Sequence, residues 1–137
     1  MKTDIKKIAA LVATQVWCNG EYSEIEAETA IEIAEAFELP TEEFKGLVAD
    51  CVCNLEKLDE EGVSDFLAEN AKEVASADAP VIYEALMQMA LCDGELTRDE
   101  VSNLLASAEA LGLEAESAIL LLCDMVKTEP ELEVSID

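Results

Sequence analysis

Two short segments hold most of the side chains able to do chemistry: Cys92-Asp93-Gly94-Glu95 with Thr97 and Glu100 behind it, and Asn19-Gly20-Glu21 with Ser23 and Glu26 behind it. Carboxylates beside exposed backbone carbonyls are the oxygen donors that hard cations take. Laid on the twelve-residue EF-hand loop, Asp93 falls at position five, Gly94 at the invariant glycine, Leu96 at the apolar position, Thr97 at nine and Glu100 at the bidentate twelve. Positions one and three would then be Met89 and Leu91, or Gln15 and Trp17 in the first copy, so the head of the loop lacks ligands and an EF-hand is not expected. The candidate ligands for a divalent cation (calcium, magnesium or manganese) are Asp93, Glu95 and Glu100, with Asn19, Glu21 and Glu26 as the first-copy set. The second copy is the stronger, because Asp93 replaces Asn19 and Asp99 adds a carboxylate. One turn supplies few oxygens, so any affinity should be modest and water or a partner must complete the shell. A second reading needs no ligand: glycine turns end helices, and Ser23 with Glu26 and Thr97 with Glu100 spell capping boxes.

Catalytic constellations are not expected. The chain has no His, which removes the usual general base and most zinc ligand sets, and no Gly-rich phosphate loop precedes a Lys. Cys18, Cys51, Cys53, Cys92 and Cys123 are odd in number and read mostly as small buried side chains in a reducing compartment, without disulfides. Cys51 and Cys53 lie about 200 degrees apart on a helix and cannot share a metal as a Cys-x-x-Cys pair would.

With 32 acidic and 8 basic residues in 137, the formal charge is −24. Such a surface repels phosphate backbones and anionic lipid, so nucleic acid is not expected as a partner and direct insertion into a membrane is not expected either. It suits a solubilising shell, a dock for basic partner segments, or a cation-binding face. Met1-Lys2-Thr3-Asp4 leads straight into an amphipathic pattern, which predicts no signal peptide and a cytoplasmic protein. The longest apolar run, Ser117 to Val126, is broken by Asp124 and is too short to span a bilayer.

Ala- and Leu-rich composition with five Gly and three Pro predicts an all-α fold of about seven helices in one domain. The first runs from about Asp4 to Cys18 with Ile5, Ile8, Leu11, Val12 and Val16 on one face. Ser23 starts the second, whose stripe reaches Phe37 before Leu39-Pro40, and Thr41 is expected to cap the third. A weakly striped fourth helix, about Glu60 to Ala75, reads as a connector. Asp78 is expected to cap the fifth, with Pro80 in its first turn; Thr97 starts the sixth, Gly112 ends it, and Ala115 to Lys127 makes the seventh.

Sliding the chain by 74 residues lays Cys18 on Cys92, Gly20 on Gly94, Glu21 on Glu95, Ser23 on Thr97, Glu26 on Glu100 and Val48 on Leu122. Three helices thus recur, over 5–56 and 79–128, about a connector at 60–76. Two three-helix units packed about a pseudo-twofold axis are expected, since neither could bury its stripe alone. The domain is placed at 1–129, and 130–137 is read as a loose acidic tail. Trp17 pairs with Leu91, and Met87 and Met89 fit a packed stripe, so all three read as core.

The duplicated pattern of helix, Asn/Asp-Gly-Glu, Ser/Thr-x-x-Glu and helix resembles the tellurite resistance protein TerB and its relatives over nearly the whole chain. The resemblance implies a compact helical fold, a non-enzymatic role in tellurite and chemical stress, a metal site at the acidic turns, and association with membrane-linked complexes through a protein partner. Asn19 and the strongly negative surface are this chain's departures. The alternative is an acidic helical adaptor that binds a basic partner protein without metal. The sequence leaves the oligomeric state open.

Overall fold

The computed structural model describes residues 3–18, 22–92, 95–114, 116–120 and 133–135. Six helices are complete within them: α1 (Ile5–Trp17), α2 (Glu24–Ala36), α3 (Thr41–Leu55), α4 (Glu60–Ala71), α5 (Ala79–Leu91) and α6 (Arg98–Ala110). A seventh is described over 116–120. The fold is all-α apart from two three-residue strands, β1 (Glu95–Thr97) before α6 and β2 (Glu133–Ser135), which pair in parallel with Glu95 opposite Glu133. Part of the segment expected to hang as a loose tail therefore lies beside the second turn.

α1 is the hub. It packs against α3, α4, α5 and α6, while α2 packs on α3 and α5. Nine consecutive residues from Ile8 to Val16 are buried, which one apolar stripe cannot explain; helices on several sides require it. Phe44, Val48, Val52 and Leu55 turn the stripe of α3 inward, and Ile82, Tyr83, Leu86, Met87 and Met89 do so for α5. Trp17 and Leu91 are half-buried against this core.

Helix ends follow the sequence with three exceptions. Asp4 caps α1 by accepting from the Lys6 N–H, and Asp59 caps α4 through the Gly62 N–H. At α3 the N-cap is Pro40, which offers no side-chain acceptor, and Thr41 is already the first helical residue. Asp78 occupies the N-cap of α5 but makes no capping bond. Its Oδ2 accepts instead from the Thr3 N–H (2.9 Å) and hydroxyl (2.7 Å), tying the start of the chain to α5. α4 ends at Ala71, short of the expected Ala75, with 3₁₀-like bonds tightening its last turn, such as Val74 N–H to the Ala71 carbonyl.

α2 and α6 stop the same way. Leu39 donates to the Ala34 carbonyl (2.8 Å) and Leu113 to the Ala108 carbonyl (2.9 Å), the closing bond of a Schellman turn. The left-handed residue is Glu38 (φ 58°) in the first copy and Gly112 (φ 77°) in the second.

Candidate functional site

Both predicted capping boxes form. The Ser23 hydroxyl accepts from the Glu26 N–H (3.3 Å), and Glu26 Oε1 accepts from the Ser23 N–H (3.0 Å) and hydroxyl (2.9 Å). Thr97 and Glu100 repeat this at 3.2, 3.2 and 3.0 Å. Glu26 and Glu100 are each only 2 % exposed. Carboxylates this buried must be bonded, and the orphan N–H groups of the first helical turn supply the partners.

Of the six predicted ligands, Glu26 and Glu100 are therefore placed, each with Oε1 committed to its own helix start. Asn19, Glu21 and Asp93 lie outside the described residues; Glu95 is described by its backbone in β1 alone. Among the described residues no three Asp, Glu or Cys side chains converge as a metal cage.

The sequence did not indicate how the two copies interleave. The end of α1, which leads into the first turn, lies against the start of α6, which follows the second. Gln15, 1 % exposed, donates from Nε2 to the Glu100 carbonyl (3.3 Å) and accepts from Asn103 Nδ2 (2.8 Å). Burial pushes the Cys18 thiol up to about 12, and the nearby charges of Asp99 and Glu100 add to it. Reciprocally, the end of α5 lies against α2: Leu91 and Cys92 share a cleft with Ile25 and Thr29, and Gln88 Nε2 donates to Glu32 Oε2 (3.4 Å) across it. Tyr22, just after the first turn, has its hydroxyl pushed up to about 12 by burial and by Glu26.

Two clefts result, of about 320 Å³ at α1/α6 and about 350 Å³ at α2/α5. The 74-residue offset superposes their walls. Trp17, Cys18 and Asp99 in one answer to Leu91, Cys92 and Ile25 in the other, and Asn103 answers to Thr29. The α1/α6 cleft has an extra wall, formed by Glu60, Val63, Ser64 and Leu67 of α4. No spacing rule pointed to these clefts. Only the equivalence of the two copies, followed position by position, could have shown them.

The cysteines are less buried than their sequence context suggested: Cys18, Cys51 and Cys92 are intermediate and Cys53 is exposed, while Cys123 lies outside the described residues. Among the described residues no helix is long and apolar enough to cross a membrane.

Helices entered through matching capping boxes at Ser23 and Thr97 define the class, an all-helical module. The model of one family, tellurite resistance protein TerB, matches residues 6–122, and the chain belongs to that family. No curated protein and no solved structure matches the chain.

Proposed function

We infer that this chain is a non-enzymatic interaction module of the tellurite and chemical stress response, acting in the cytoplasm by docking a protein partner. In this reading the partner links it to membrane-associated complexes, and the second acidic turn takes a divalent cation. The family match supports the module. The helices around the turns support the rest: α1 and α5, which lead into them, each line a cleft with the other capping-box helix, and α2 and α6, which follow them, each start from a capping box. Asp93 and Glu95 are the ligands this reading uses, with Glu100 holding the helix start beside them and Asn19, Glu21 and Glu26 as the weaker first-copy set.

Calorimetric titration with calcium, magnesium and manganese tests the cation half. Binding heat at up to about millimolar metal is expected, lost in a variant carrying Asp93→Ala and Glu95→Ala. No heat, or the same heat in the variant, removes the cation from the account.

A metal-free adaptor for a basic partner is the second reading, favoured by one observation: α2 and α5 carry six Glu between them and no Lys or Arg. Its signature is capture of a specific protein that falls steeply as ionic strength rises.

A further inference from the structure

The two clefts differ in what lies over them. α4 runs along the α1/α6 cleft and sets Val63 and Leu67, one helical turn apart, into it; each is 5 % exposed. Among the described residues no helix takes the corresponding place over α2/α5.

Two apolar side chains stand exposed along the α2/α5 side. Ile25 (51 % exposed) and Val81 (43 %) stand where the other copy has Asp99 and Lys7. Ala85 stands where α1 carries the fully buried Leu11, and its short side chain opens a second hollow of about 220 Å³ bordered by Phe37 and Val81. Gln88 lines both hollows, which are therefore neighbours along the groove between α2 and α5. Its exposed rim is Glu28, Glu32 and Glu84, with no cationic side chain on either helix.

We propose that the α2/α5 groove is the docking site for a basic amphipathic helix of a partner protein. Two apolar residues at i and i+4 fill the hollows beside Ala85 and Ile25, and lysines or arginines on its flanks meet Glu28, Glu32 and Glu84. The proposal rests on the interaction-module reading and names that partner's chemistry. The covered side supplies the template, because α4 places Val63 and Leu67 at this spacing. Charge selects a basic occupant over a second copy of this chain, whose α4 would bring four more carboxylates, Glu60, Glu61, Asp65 and Glu69, against an acidic rim.

The test uses two fluorescent peptides with the sequence of 60–71, one unchanged and one with those four acids replaced by Lys, titrated by anisotropy against the full chain at physiological ionic strength. The lysine peptide is expected to bind and the acidic one not. Glu28→Lys with Glu32→Lys should weaken binding about tenfold or more, and Val81→Gln several-fold. Glu42→Lys with Glu61→Lys, the same charge change at exposed positions elsewhere, should change it by less than about twofold. Circular dichroism confirms that each variant folds. Equal losses in both double variants, indifference to Val81→Gln, or no binding of the lysine peptide overturns the proposal. Sedimentation showing self-association that Glu28→Lys with Glu32→Lys alters would make a second copy the occupant and overturn it too. A cellular partner still captured in a salt-sensitive way by the Glu28→Lys, Glu32→Lys variant would leave the interaction module standing without this groove; loss of every partner would remove both.

Discussion

The α1/α6 and α2/α5 clefts are lined by residues at corresponding positions, yet α4 walls the first and, among the described residues, no helix does so for the second. The walls of both clefts come from positions 74 residues apart, whereas α4 has no counterpart among the described residues. A single connector helix can lie over only one of two equivalent clefts. The side chains at corresponding positions also differ: Leu11, Asp99 and Lys7 on one side answer to Ala85, Ile25 and Val81 on the other.

If the comparison holds, truncation should be costly on one side alone. Leu67→Ala removes a side chain buried under α4 and is expected to destabilise the fold by about 2–5 kcal/mol. Val81→Ala, on the open counterpart, should stay within about 0.5 kcal/mol. Urea unfolding of both variants checks this, and similar losses would break the distinction between covered and open. Next come the caps, where the copies should behave alike: Ser23→Ala and Thr97→Ala are each expected to cost about 1 kcal/mol, because each removes an acceptor for an N–H and loosens a buried carboxylate. A large effect at one cap alone would mean the boxes are not equivalent.

A smaller difference separates the helix ends. Glu38 takes the left-handed conformation that Gly112 adopts without penalty, so Glu38→Gly should raise stability by roughly 0.5–1 kcal/mol and bring the first copy closer to the second. Thermal unfolding reads this directly.

The last effect shows only at alkaline pH. The Cys18 thiol is raised from 9.0 to about 12, so the folded state keeps its proton longer than the unfolded chain does. Its contribution is complete below about pH 9 and is lost as pH climbs towards 12. Cys18→Ala should flatten that part of the alkaline unfolding profile. In native protein at pH 8, Cys53, which is exposed, should react with a thiol reagent well before Cys18.

Local chemistry was legible in the sequence where it is local in space. The capping boxes at Ser23 and Thr97 involve residues three apart, and both form. Gly112 and the core stripes of α3 and α5 follow from periodicity in the same way. What failed to show depends on distant partners. Asp78 looked like a cap for α5 but is held by Thr3, 75 residues away, and no window of sequence shows that competition. α4 has a weak stripe because it buries only Val63, Leu67 and Ala71, so its role over α1 and α6 could not be read from its own pattern. Of the proposed cation ligands, Glu26 and Glu100 were found by the right residue pattern, and their placement shows them serving helix starts.

The claim that the open groove is a docking surface is tested most directly by titrating the lysine-substituted 60–71 peptide into the isotopically labelled chain and following backbone amide resonances. Shifts concentrated at Ile25, Glu32, Val81 and Gln88, with α1 and α6 quiet around Cys18 and Asn103, are the predicted result. Shifts spread over all acidic faces, or centred on the α4 side, would contradict it.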